Sequence, residues 1–212
     1  MHKYFIKVNW IIKRLFPSYI WNLPREDNAV YLSFDDGPDP VVTRWVLDQL
    51  RNYNAKATFF CVGENVEKYP ELYQSLIDEG HATGNHTYAH KNGWEINDAE
   101  YMDDVAAGAK FVHSNLFRPP YGRIRSSQAK QLATVTGLKK VHVIMWEVLS
   151  ADFDTSFTPE QCLSNVIKNV SAGSIVVFHD SENAFKNLKY SLPLTLEFLK
   201  EKGYLMKKIE LI

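Results

Sequence analysis

A chain of 212 residues with 45% hydrophobic and 23% charged side chains has the composition of a folded globular protein. Disordered, collagenous and coiled-coil classes are excluded, and there is enough material for a real core. Lys and Arg total 24 against 25 Asp and Glu, and the resulting formal charge of -1 predicts no nucleic-acid partner.

That neutrality hides an asymmetry. Residues 1–25 contain Lys3, Lys7, Lys13, Arg14 and Arg25 and no acid, so the rest of the chain is acidic. The stretch YFIKVNWIIKRLFPSYIW is interrupted by Lys7 and Asn9 and is followed by no small-residue cleavage site. It therefore reads as neither a secretory signal nor a transmembrane helix. The expected location is cytoplasmic or membrane-associated rather than clearly secreted. Two readings of the stretch stay open. Residues 1–16 could lie on an anionic bilayer as an interfacial helix, or the stretch packs as a short helix with its lysines in water. The packing reading is preferred.

After this segment of residues 1–28, strand-like runs alternate with helical patterns over residues 29–212. The runs are AVYLSF (29–34), ATFFCV (57–62), HATGN (81–85), LFR (116–118), VHVIMW (141–146), SIVVFH (174–179) and YLMKKIEL (204–211). Between them, Val42, Trp45, Val46, Leu50 and Tyr53 repeat at helical spacing. So do Met102, Val105, Ala109 and Val112, then Leu163, Val166, Ile167 and Val170, and finally Leu192, Leu196 and Leu199 ahead of Gly203. Seven such units without a linker predict a single α/β domain with a parallel sheet. An open doubly wound sheet and a closed barrel fit the pattern equally. Cys61, in ATFFCVG, and Cys162, at a helix start, read as two reduced core cysteines.

The polar residues at the ends of the runs narrow the choice. The first run enters Asp35-Asp36-Gly37-Pro38, where two adjacent carboxylates are costly unless a cation sits beside them. A solvated turn is the plain alternative. The third run enters His86-Thr87-Tyr88-Ala89-His90, and histidines at i and i+4 share one face of a helical turn. Together with Asp36 they form a His-His-Asp set with positions left for water, as in a catalytic zinc site. Two surface histidines are the competing reading.

The fourth run enters Arg118-Pro119-Pro120-Tyr121-Gly122, where two prolines hold the backbone extended and fix the arginine. A rigid guanidinium suits a carboxylate that must stay oriented, the alternative being a kinked loop with Arg118 in water. His179 ends the sixth run, and Asp152 is placed to orient it and raise its pKa. Every candidate follows a strand. A barrel brings all those ends to one face.

These residues resemble the polysaccharide deacetylases, the NodB-type domain of carbohydrate esterase family 4. SFDDGP, HTYAH, RPPYG and VFH stand in that family's order between residues 33 and 179. The resemblance implies a distorted (β/α)7 barrel over roughly residues 29–212 and metal-dependent deacetylation of N-acetylglucosamine polymers such as peptidoglycan or chitooligosaccharide. By the same resemblance Asp35 is the catalytic base, and Asp36, His86 and His90 hold a divalent metal, zinc before cobalt or nickel. Arg118 orients Asp35, the Tyr121 N–H binds the oxyanion, His179 is the acid, and Asp152 is its charge partner.

One motif departs from the family. Many members have aspartate where Leu149 stands, arginine where Ala151 stands, and tryptophan where Phe153 stands; Val177 replaces a leucine. These changes bear on substrate more than on chemistry. The expected partner is an acetylated glycan. The competing functions are a carbohydrate-binding barrel with weak turnover, and a deacetylase of an ester or small metabolite. Trp146, Trp94 and Tyr88 offer faces for sugar rings, although core or loop packing is the commoner use of such side chains. His2, His81, His113 and His142 fall in no motif and read as structural.

Overall fold

The computed structural model describes residues 5–211. Eight strands form one sheet: β1 (Ala29–Asp35), β2 (Ala57–Cys61), β3 (Ala82–Asn85), β4 (Leu116–Phe117), β5 (His142–Val143), β6 (Val148–Leu149), β7 (Ile175–His179) and β8 (Leu205–Met206). All their pairings are parallel, in the order β5-β4-β3-β2-β1-β7-β6, with β8 beside the start of β1. The helices are α1 (Trp10–Leu15), α2 (Val42–Asn52), α3 (Gly63–Lys68), α4 (Pro70–Asp78) and α5 (Asp98–Ala109). They continue with α6 (Ser126–Ala129), α7 (Leu132–Thr136), α8 (Pro159–Ile167) and α9 (Phe185–Glu201). The result is a single domain in which the sheet curls into an incomplete barrel with helices outside.

Strand alternation positions the site. Val30, Leu32 and Phe34 of β1 join Phe59, Phe178 and the α2 and α9 residues Val46, Leu50, Leu188, Leu192, Leu196 and Leu199 in the outer core. Ala29 and Tyr31 belong instead to an inner cluster with Phe60 of β2, Ile144 and Ile175. Ser33 and Asp35 continue that inner row, because successive side chains on a strand point to opposite faces. Every residue of β1 is buried. A parallel strand covered on both sides tolerates that only if its few polar groups are satisfied.

Two boundaries differ from the sequence reading. The run 141–146 is not one strand: β5 stops at Val143 and the chain bends before β6 begins at Val148. The cause is polar. The Ile144 and Met145 carbonyls accept from Arg118, at 3.1 and 3.0 Å, in place of ladder bonds. The run 204–211 pairs as a strand only over Leu205–Met206.

The sheet is open between β5 and β6, and the N-terminal segment spans that gap. Val8 N donates to Glu147 O and Leu149 N to Ile6 O, both at 2.9 Å. On the other side Ile20 N donates to Val143 O at 2.9 Å and Met145 N to Ile20 O at 2.7 Å. Val8 and Trp21 are buried. Lys13 is not in open water as the packing reading supposed: its Nζ lies 2.5 Å from Oε1 of the buried Glu147 and 2.9 Å from Asn22 Oδ1. Among the described residues no helix is long and apolar enough to cross a membrane.

Candidate active site

Four strand ends supply the site. Asp35 is the last residue of β1 and His179 the last of β7, and the two are register partners across the pair. His86 follows β3, and Arg118 follows β4.

Arg118 is fully buried, and each of its bonded donors has a fixed partner. Nη1 donates to Asp35 Oδ1 at 2.6 Å and to Ser33 Oγ at 2.8 Å, Nε to Ile144 O and Nη2 to Met145 O. The guanidinium also lies 4.0 Å from the centre of the Phe60 ring. Burial lowers the guanidinium pKa and the Asp35 charge acts against that. A cation so enclosed survives because its neighbours are a carboxylate and carbonyls. Its effect is to hold one Asp35 oxygen in place.

Asp36, one residue on, has φ of 79°. That left-handed step turns its carboxylate away from Arg118 and toward the histidines. Asp36 Oδ1 lies 3.1 Å from His90 Nε2 and 3.7 Å from His86 Nε2, and the three ligand atoms all fall within 4.8 Å of one another. Burial would raise the Asp36 carboxyl, but the two imidazoles beside it and the nearby His179 charge hold it well below the usual range.

The i and i+4 histidines do not share a helical turn, as the spacing alone had suggested. Residues 86–90 form an irregular loop with φ of 62° at Thr87 and 54° at His90. Asn85 makes this loop: its Oδ1 accepts from Thr87 N at 2.7 Å and its Nδ2 donates to Val105 O. His86 Nδ1 is 2.7 Å from Arg118 O. Donation there places the proton on Nδ1 and leaves the Nε2 lone pair facing Asp36, the arrangement an imidazole ligand needs. Two imidazoles and one carboxylate converging in this way fit a divalent transition metal with open positions.

His179 and Asp152 form a second pair. His179 Nδ1 is 2.8 Å from Asp152 Oδ1, and Asp152 Oδ2 accepts from the His179 backbone N at 2.9 Å. Asp152 is fully buried, and Ser150 Oγ donates to it at 2.8 Å. Burial would lower the His179 pKa, but the Asp152 charge and hydrogen bond outweigh it, and the imidazole is pushed up to about 9. His179 is therefore a cation at neutral pH. Phe153 sits against it with ring centres 4.7 Å apart, and Ala151, where many family members have arginine, is buried with φ of 62°.

Tyr121 occupies a short 3₁₀ turn, Pro120–Gly122, with φ of 60°. The extended backbone expected from the prolines holds only at Pro119, since Pro120 already begins the turn. The Tyr121 ring is 60% exposed and lies 4.7 Å from the His90 ring, so the turn borders the His-His-Asp set. Trp94 is exposed under the Arg123 guanidinium, 5.2 Å away. Trp146 packs over Gly122 and near Arg118. Tyr88 donates to Glu67 at 2.6 Å. His81 is structural: it is buried, accepts from Ala57 N at 3.1 Å, and is pushed down to about 4 by burial and nearby cations.

Asp180 follows His179 in the sequence and lies outside the four motifs. It is buried, and its carboxylate accepts from Gly37 N at 3.2 Å and Thr43 Oγ1 at 2.5 Å. A Cβ on Gly37 would stand 2.1 Å from Asp180 Oδ2. The glycine after the two aspartates is thus required by a third carboxylate packed against it. Burial raises the Asp180 carboxyl well above its usual value. Only a contact across 143 residues reveals this, and no local motif carries it.

A family model for polysaccharide deacetylases matches residues 22–141. A peptidoglycan-N-acetylglucosamine deacetylase of Bacillus cereus is 35% identical over 189 residues, covering 87% of each chain. A chitooligosaccharide deacetylase of Azorhizobium caulinodans is 32% identical over 167 residues, covering 74% of this chain and 76% of its own. Among solved structures, the Bc1960 peptidoglycan N-acetylglucosamine deacetylase superposes with a TM-score of 0.82 at 31% identity, covering 91% of each chain.

Proposed function

The chain belongs to the polysaccharide deacetylase family, and from that premise we propose that it hydrolyses the N-acetyl groups of an N-acetylglucosamine polymer of the peptidoglycan type. The carrying observation is the juxtaposition of Asp35 on Arg118, His179 on Asp152, and the Asp36-His86-His90 set, all at strand ends on one side of the barrel.

Asp36, His86 and His90 would hold one divalent ion, zinc before cobalt or nickel given the donor set. When bound, such an ion supplies Lewis acidity to the acetyl oxygen and lowers the pKa of water. The remaining work falls to the chain. Asp35, fixed by Arg118, takes the proton of the attacking water. The backbone N–H of Tyr121 donates to the oxyanion that forms as the carbonyl carbon becomes tetrahedral, a contribution of roughly 10²–10³ in rate for a donor of this kind. His179, held protonated by Asp152, gives its proton to the departing amine, which is too basic to leave as an anion. Base and acid are thereby kept in opposite charge states.

The test is acetate release from chitooligosaccharides, peptidoglycan and acetylated xylan by metal-loaded protein, with and without chelator. Chelator-sensitive release from the two N-acetylated glycans is expected. Release from xylan alone would replace the amide substrate by an ester. Glycan binding without acetate from any of the three would make the chain a binding barrel.

A further inference from the structure

Helix α1 reverses the usual arrangement of a surface helix. Trp10, Ile11 and Leu15 are 66%, 49% and 68% exposed, and none of the six helix residues is buried. At 100° per residue, Trp10, Arg14, Ile11 and Leu15 fall on one outward arc, while Ile12 and Lys13 face the barrel. The packed face therefore carries the lysine that reaches Glu147, and the solvent face carries the large apolar groups. Phe5 and Phe16, which flank the helix in sequence, are also 68% and 42% exposed. Isolated exposed apolar side chains need no explanation, but five within twelve residues do.

We propose that this face lies in the interfacial layer of an anionic phospholipid bilayer. Charge complementarity decides the occupant: residues 1–25 hold five basic and no acidic side chains, and although Lys13 and Arg25 lie against Glu147, the segment keeps a net positive charge. Arg14 sits within the apolar arc, is exposed, and pairs with no acid among the described residues. An aromatic and aliphatic face carrying an exposed arginine on a basic segment is the composition that binds such surfaces.

The fold also sets the orientation. Lys13 joins Glu147, the residue before β6, which in turn accepts from Ser174 before β7 at 2.6 Å. Helix α1 thus sits where strands begin, whereas Asp35, His179, His86 and Arg118 stand where strands end. With α1 on the lipid, the site faces away from the bilayer.

Co-sedimentation of the full chain with phosphatidylglycerol/phosphatidylcholine vesicles tests this, against phosphatidylcholine alone and at high salt. Binding to the anionic vesicles is expected, reduced about tenfold or more by Trp10→Glu or Leu15→Glu and weakened by Arg14→Glu and by salt. The variants should keep the wild-type circular dichroism, since these side chains bury nothing. Failure to sediment with anionic vesicles overturns the proposal, as does binding that Trp10→Glu and Leu15→Glu leave unchanged. Concentration-dependent dimerisation abolished by the same substitutions, without vesicle binding, would assign the face to a second copy instead.

Discussion

The Nδ1 of His179 lies 2.8 Å from Oδ1 of Asp152, a carboxylate with no solvent exposure. Burial would lower the imidazole, but the Asp152 charge and hydrogen bond, with smaller contributions from Asp36 and Asp35, push it up to about 9. Activity that needs the protonated ring is present at lower pH and lost as pH rises through that value. In Asp152→Asn the imidazole pKa falls, and the alkaline limb of kcat/KM moves to lower pH by about 1–3 units. A pH–rate profile with an unmoved alkaline limb would show that His179 is not the titrating acid.

Replacing the acid separates proton delivery from metal retention. His179→Ala is expected to lose roughly 10²–10⁴ in kcat while binding one metal ion per chain. Loss of the metal in that variant would move His179 into the ligand set. Substituting His86 or His90 by alanine should instead abolish binding of the ion.

Arg118 is the buried partner of a buried carboxylate. Arg118→Met strands Asp35 without its counter-charge and leaves the Ile144 and Met145 carbonyls unpaired, a cost of about 3–5 kcal/mol. Arg118→Lys keeps the charge but cannot reproduce the four-way contact, so it should melt between Met and wild type. Thermal denaturation of both variants checks the order. A lysine variant as stable as wild type would mean that the charge alone suffices.

Much of this site was legible because parallel strands end where chemistry-bearing residues begin. Asp35, Asp36, His86, His90, Arg118 and His179 each follow or end a strand-like run, so their convergence could be read from order alone. What was not legible came from long-range contacts. Asp180 is fixed by Gly37 and Thr43 from the other end of the chain. The division of 141–146 into a strand and a bend depends on carbonyls captured by Arg118. The His86–His90 loop follows Asn85, whose amide replaces the helical bonds that an i, i+4 pattern implies.

The Gly37–Asp180 contact predicts a coupled pair. Gly37→Ala drives a methyl group into the Asp180 carboxylate, displacing the turn that carries Asp36, so metal affinity and stability should both fall. Asp180→Ala removes the obstacle. Gly37→Ala is then expected to cost less in the Asp180→Ala background than alone, with a coupling of about 0.5–3 kcal/mol in a double-mutant cycle. Strict additivity would mean that the turn relaxes elsewhere.

The same reasoning applies to the strap across the open edge of the barrel. Glu147 is buried, 2.5 Å from Lys13 and 3.6 Å from Arg25, and accepts from Ser174. Burial alone would raise its carboxyl, but Lys13 and Ser174 outweigh burial and hold it below the ordinary value of 4.5. A depressed carboxylate contributes stability that is present above its unfolded pKa and lost as pH falls through the folded one. The N-terminal strap should therefore loosen in acid, below about pH 4.5. Glu147→Gln removes that dependence and leaves Lys13 without its counter-charge, so the variant is weaker at neutral pH and less sensitive to acid. Hydrogen exchange at Val8, Ile20 and Leu149 across that pH range reads the strap directly. Protection in wild type that stays constant down to pH 3 would show that the backbone pairing, rather than the Lys13–Glu147 contact, holds the segment in place.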